Sequence, residues 1–170
     1  MDEILDIVDD QDNVVGKGPR KDIKKRVLPH RLVKIVIING KGEVLVHMRS
    51  SSKDTFPSHW DLGCAETLQS GESYEEAAHR GLKEEFGIDV NPAELKHAFL
   101  FRYLYRTKEH QINYKIYNWF FNDSLTIQDE EVEEAKFLPI EEVKKLIKKG
   151  PFHGAAAQIF EHYLKIKELS

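Results

Sequence analysis

Residues 71–88 read GESYEEAAHRGLKEEFGI, and this stretch decides how the rest of the chain is read. Ser73 followed three residues later by Glu76 is the spacing of a capping box, in which each side chain satisfies the other's free backbone N–H at a helix start. Ala77, Ala78, Leu82 and Phe86 recur at helical spacing and give the segment one apolar face. Gly87 supplies the left-handed residue that ends a helix. On the polar face Glu76, Arg80 and Glu84 fall four apart, Glu85 lies beside them, and Glu72 sits just before the first turn. Two readings fit this pattern. Residues three and four apart form weak ion pairs on any solvated helix. Alternatively, converging carboxylates repel by about 4 kcal/mol per contact at ~4 Å and an effective dielectric near 20, and a divalent cation relieves that. Gly81, inside the helix, costs about 1 kcal/mol relative to alanine, so it needs a local reason.

Upstream, ILDIVDDQDNVVGKG predicts two short strands around a polar turn at Asp10–Asn13. The runs 32–38 and 43–49 flank NGKG, a strong hairpin signal, and the first, apolar on both sides, belongs inside a sheet. SSSKDTFPSHWDLGC is a loop by its Ser, Pro and Asp content, leading into an extended piece at 60–64. Downstream, KHAFLFRYLYR and INYKIYNWFFND are long β-rich runs joined by a polar turn. After EEVEEAKFLP, Pro139 opens an amphipathic helix stopped at Gly150-Pro151, and a last helix covers 155–169. No repeat or linker divides the chain, so one domain over residues 1–170 is expected, with a mixed sheet covered by helices on both faces.

Charged residues make up 32% and hydrophobic ones 41% of 170 residues, with a net charge of −4. That balance fits a soluble domain with a core of its own. It does not point to nucleic acid, whose binding is driven by basic surface. The one basic run, GKGPRKDIKKR at 16–26, reads as a solvated face or as an anion-binding strip. Cys64 is the only cysteine, which excludes an internal disulfide and a cysteine-rich zinc site. No apolar run approaches the ~20 residues that span a bilayer, and the acidic start lacks the features of a secretion signal. A cytoplasmic protein with no membrane partner is expected.

The stretch resembles the signature of the Nudix hydrolase family, with Glu72, Arg80, Leu82, Glu84, Glu85, Gly87 and Ile88 in register. LDIVDDQDNVVG, LPHRLVKIVI and RSSSKDTFPSHWDL resemble, more narrowly, the branch around isopentenyl-diphosphate isomerase, over residues 4–147. The resemblance implies an α/β fold of the Nudix type, an α/β/α sandwich with a mixed β-sheet. It also implies a magnesium-dependent hydrolase (manganese being the alternative ion) that splits a diphosphate bond in a nucleoside diphosphate derivative or other organic diphosphate. Family members are often homodimers.

Two positions depart from the signature. Glu66 stands where the family has its first glycine, and Gly81 stands where it has a glutamate that ligates metal. One acid is lost and one gained in the same motif, so Glu66 is a candidate to replace the missing carboxylate. The expected metal set is therefore Glu84, Glu85 and Glu66, and the expected catalytic set adds Arg80. Gly71, Glu72 and Gly87 are the structural positions of the motif. Arg49, Lys53, Arg102 and Arg106 are candidates to steer a diphosphate, because guanidinium and ammonium groups suit it. Glu131 or Glu134 is expected to reach the site from the later acidic run, and which carboxylate acts as base stays open. A non-catalytic module that binds a phosphorylated ligand competes with the enzyme reading. An isomerase ranks below both. The resemblance implies a cysteine before a Gly-His pair for that enzyme, whereas Cys64 lies one residue early and Ala65-Glu66-Thr67 follow. A one-residue slip turns a strand side chain to the other face, so Cys64 is expected to be a small buried residue. His30 is expected to be structural.

Overall fold

A computed structural model describes residues 2–128 and 130–169. Residues 1 and 170, which the expected domain included, lie outside the described residues. Strands β1 (Ile4–Val8) and β2 (Val14–Pro19) form an antiparallel ribbon around the expected polar turn. Helix α1 (Arg20–Lys25) follows. The basic run thus contains the end of a strand and a short helix. The main sheet contains β3 (His30–Ile38), β4 (Val44–Arg49), β5 (Trp60–Leu62), β6 (Cys64–Thr67), β7 (Phe99–Arg106), β8 (Gln111–Phe120) and β9 (Val132–Leu138). Helices α2 (Tyr74–Phe86), α3 (Pro92–Leu95), α4 (Ile140–Lys149) and α5 (Gly154–Leu169) complete the chain.

The sheet is mixed, as expected. Strand β3 pairs in parallel with β8 along its whole length, while the other pairings are antiparallel. Strands β3 and β4 do not run on as a full hairpin: they are in register only at Ile38 and Val44 and then separate. Strand β6 fills the gap along β3, and β5 pairs with β4. Gly63 joins these two short strands at φ +53, where any Cβ would collide with the Ile35 carbonyl oxygen. Its N–H closes on the Leu45 carbonyl at 2.8 Å. This wedge carries β6, and with it Glu66, under α2.

Alternation along β3 builds two core layers. Val33, Ile35 and Ile37 pack toward Ala77, Ala78, Leu82 and Phe86 of α2. Leu32, Val36 and Ile38 face the layer containing Val143 of α4 and Ala155, Ala156 and Phe160 of α5. The helix-on-sheet-on-helix sandwich follows from those two apolar faces. Sequence periodicity did not reveal α3, which Asn91 caps by accepting from the Ala93 N–H at 2.9 Å. Nor did it reveal β9, whose Glu133 and Glu134 are exposed while Val132 is buried. Among the described residues, no helix is long and apolar enough to cross a membrane.

Candidate active site

Helix α2 starts as its sequence dictates: the Ser73 hydroxyl accepts from the Glu76 N–H, and the Glu76 carboxylate accepts from the Ser73 N–H at 2.8 Å. Gly87 ends it at φ +68. Between these caps Arg80 ties the helix to the preceding segment. Its guanidinium donates twice to Glu72, at 3.0 and 2.9 Å, and once to the Thr67 carbonyl at 2.9 Å. Arg80 also pairs with Glu66 at 3.2 Å. Gly71, at φ +81, donates its N–H to Asp6 at 3.1 Å, which fastens the same segment to β1.

Gly81 is buried against β6. A Cβ at that position would lie 3.0 Å from Glu66 Cβ and 3.1 Å from Cys64 Sγ. The helix can pack this closely only without a side chain there, and the stem of Glu66 takes the space. One turn on, Glu85 is buried and Glu84 is exposed. Burial, reinforced by the charge of Glu66, pushes the Glu85 carboxyl up to about 8. Burial also raises Glu66, with Arg80 working against the rise. At the α2–β6 junction, then, Glu66 disfavours ionisation of the buried Glu85.

Glu66, Glu84, Glu85 and Arg80 all line one cavity of about 500 Å³. Among the described residues, no three histidine, cysteine or carboxylate side chains stand together as a ready-made metal cage. The donor chemistry nevertheless suits magnesium, which takes one or two carboxylates and keeps several waters. The buried Glu85 carboxylate has no protein hydrogen-bond donor among the described residues, and a cation would offset its repulsion from Glu66.

The cavity is also lined by cations. Arg20 pairs with Glu3 at 2.8 Å, Lys24 with Asp54 at 2.8 Å, and Lys53 with Glu131. Arg49 donates to the Thr55 carbonyl at 2.9 Å and lies 3.4 Å from Asp61. At the cavity floor Lys34 and Asp61 form a fully buried pair at 2.7 Å, and Lys34 also donates to the Leu62 carbonyl. Burial works against the charge on Asp61, but Lys34 together with His153, His47 and Arg49 outweighs it and holds the carboxyl well below its ordinary range.

Of the four cations expected to steer a diphosphate, Arg49 and Lys53 line the cavity. Arg102 and Arg106 are not among its lining residues. They fasten the β1–β2 turn: Arg102 donates to the Asp10 carbonyl at 3.2 Å, and Arg106 reaches the Asp10 carboxylate at 2.9 Å and Asn113 at 2.6 Å. Their side chains belong to the ribbon's anchorage because β7 runs beside that turn. Of the two later acids, Glu131 lines the cavity, whereas Glu134 pairs with Lys136 at 3.4 Å.

Several lining residues were not singled out by sequence: Arg20, Lys24, Lys34, His47, Phe56, Asp61, His110, Tyr114 and His153. A lysine in an otherwise apolar strand was the available signal for Lys34, and the basic run was the signal for Arg20 and Lys24. His30, expected to be structural, is buried, bonds the Leu28 carbonyl at 3.0 Å and also lines the cavity. Cys64 is sealed beneath α2, and burial, with the charges of Glu85 and Glu66, pushes its thiol well up. A thiol held protonated and inaccessible is a poor nucleophile.

A family model for the NUDIX domain matches residues 28–162. An uncharacterised Nudix hydrolase of Streptomyces coelicolor is 42% identical over 61% of this chain and 56% of its own length, so the chain spans little more than half of that relative. Isopentenyl-diphosphate Delta-isomerase 2 of Photorhabdus laumondii is 32% identical over 89% of this chain and 85% of its own. Among solved structures, DR0079 of Deinococcus radiodurans superposes with a TM-score of 0.74 at 26% identity, covering 94% of this chain and 98% of that one. The matched span contains α2, its braced approach segment and the sheet that carries Glu66, and on that match the chain belongs to the Nudix hydrolase family.

Proposed function

We propose that this protein is a magnesium-dependent hydrolase that cleaves the diphosphate bond of a nucleoside diphosphate derivative or another organic diphosphate. The observation that carries this reading is the buried Glu85, its ionisation opposed by the half-buried Glu66, in a cavity whose other walls hold Arg20, Lys24, Arg49 and Lys53. An acidic patch beside a cluster of cations is what a metal-bound phosphate chain requires.

Glu85, Glu84 and Glu66 would hold the ion, with Glu66 taking the part of the carboxylate missing at Gly81. A bound divalent cation would withdraw charge from the phosphate oxygens and ease attack at phosphorus. Arg80, fixed by Glu72 and the Thr67 carbonyl, keeps Glu66 and α2 in register. Lys53 and Arg49 receive the phosphate oxygens. When the diphosphate engages Lys53, Glu131 loses its partner and is free to take a proton from the attacking water. The water oxygen bonds to phosphorus as the bridging P–O bond breaks, and the leaving phosphate carries the bond's electron pair.

The second reading is a module that binds a phosphorylated ligand without cleaving it. It is favoured by one observation: no ready three-ligand metal cage exists among the described residues. Product release from a panel of nucleoside diphosphate derivatives, with and without magnesium, separates the two. Turnover that needs magnesium and is lost in Glu85→Gln supports the hydrolase. Magnesium-independent binding without turnover supports the module.

A further inference from the structure

The part of the cavity contributed by β8, the 107–111 connection, the 50–59 loop and the start of α5 differs in kind from the α2 side. Beside the charged Lys53, Asp54 and Glu109 it carries a group of rings. Phe56 lies 4.0 Å from the His153 ring centroid and 5.4 Å from that of His110, and Tyr114 is buried beside them. Phe56 is held there with φ +48. A bulky residue rarely adopts that conformation, and it persists where the surroundings over-determine a position, as in ligand clamps.

Two of the imidazoles have their tautomers fixed by the backbone. His30 Nδ1 faces the Leu28 carbonyl at 3.0 Å, and a carbonyl can only accept, so Nδ1 carries the proton and Nε2 is an acceptor. His153 Nδ1 accepts from the Ala156 N–H at 3.4 Å, so its proton sits on Nε2, which is a donor. Burial lowers both, His153 to about 4, which keeps each ring neutral at pH 7. Neither Nε2 nor the Tyr114 hydroxyl bonds a protein group among the described residues; both imidazoles keep a small exposed fraction, and Tyr114 is fully buried at the cavity wall. The walls therefore present one fixed acceptor, one fixed donor and one adaptable hydroxyl, all uncharged.

Building on the diphosphate reading above, we infer that His30, Phe56, His110, Tyr114 and His153 form a specificity subsite. It selects diphosphates whose organic group is uncharged and offers both a hydrogen-bond donor and an acceptor, and it rejects those carrying plain hydrocarbon. A hydrocarbon group would strip water from His30 Nε2, His153 Nε2–H and the Tyr114 hydroxyl without replacing the lost hydrogen bonds. Sites built to bond a polar group discriminate strongly on that ground.

The test is equilibrium titration of the full chain in magnesium buffer with inorganic, dimethylallyl and uridine diphosphates whose bridging oxygen is replaced by methylene, which rules out hydrolysis of that bridge. The uridine compound is expected to bind about tenfold or more tightly than inorganic diphosphate, and the dimethylallyl compound no more tightly. His30→Phe and His153→Phe are each expected to erase the uridine advantage while leaving inorganic diphosphate unchanged. Equal binding of all three probes, or tighter binding of the dimethylallyl compound, overturns the subsite alone. Failure of all three to bind overturns the diphosphate reading and the subsite with it. Nitrogen-15 spectra of the unliganded wild type give an arm independent of folding variants. Protons on His30 Nδ1 and His153 Nε2 support the subsite, and the opposite tautomer at either residue overturns it.

Discussion

Glu66 and Gly81 share one site: the Glu66 stem occupies the space that a side chain at position 81 would need, and a Cβ placed there would lie only 3.0 Å from that of Glu66. The two departures from the family signature are thus a single exchange across the α2–β6 contact. Gly81→Ala should gain about 1 kcal/mol of helix propensity but lose more, because the atoms it meets are a Cβ and a buried sulfur rather than a flexible tip. Overpacking of this kind costs about 1–3 kcal/mol, so a net loss is expected in urea melts. Glu66→Gly combined with Gly81→Glu should recover most of the stability lost by Gly81→Glu alone. Additive losses in the double variant would show that the two positions do not compensate.

Glu66→Gln tests the metal assignment. Removing one of the acids while keeping its shape should lower magnesium affinity and turnover by at least about tenfold, the scale on which a metal site responds to loss of a supporting group. Thermal shifts with and without magnesium read this directly, since a ligand bound only by the folded state raises its stability. An unchanged magnesium response would remove Glu66 from the ligand set.

The pH dependence of stability without metal follows from three buried groups. His47 and His153 are held to about 4 by burial. Between that value and the ordinary 6.5 the unfolded chain binds their protons and the folded one does not, so stability rises with pH. Glu85, raised to about 8, keeps its proton in the folded state after the unfolded chain has lost it, so its contribution falls from about pH 4.5 to 8. Each proton of difference is worth about 1.4 kcal/mol per pH unit. The two imidazoles outweigh the one carboxyl below about pH 6.5, and above it the carboxyl acts alone. Denaturant melts should therefore show a maximum near pH 6.5 and a decline toward 8 that Glu85→Gln flattens.

Lys53→Ala should raise KM for a diphosphate substrate about tenfold or more, because charge-assisted hydrogen bonds to phosphate contribute about 1.5–3 kcal/mol. Arg102→Ala should leave KM within about twofold, since one contact to the Asp10 carbonyl is what it loses. Steady-state kinetics on both variants check the contrast, and an equal rise in KM would return Arg102 to the substrate site.

Asp61→Asn should destabilise by about 3–5 kcal/mol, the cost of leaving Lys34 buried without its counter-charge. Both side chains are essentially sealed, so water cannot take over. A loss below about 1 kcal/mol would mean that the Leu62 carbonyl and the amide oxygen left at position 61 already suffice for Lys34.

The sequence by itself determined the elements whose signals are local. The caps at Ser73, Glu76 and Gly87, the apolar stripe of α2 and the alternation that buries Val33, Ile35 and Ile37 each depend on residues within a turn or two of one another. It also pointed to Glu66, Arg80, Glu84 and Glu85 as one group, because the signature runs from the end of β6 through one loop into one helix. Strand β9 stayed hidden, since its exposed acids mask the period-two pattern, and α1 was masked by its own lysines. Only the tertiary structure decided which cations meet the acids. Arg49 and Arg102 are equally plausible as residue types, yet the Thr55 and Phe56 carbonyls hold one at the cavity and the β1–β2 turn captures the other. Side-chain direction and burial depend on packing between segments far apart in the chain, and spacing along one segment carries no record of them.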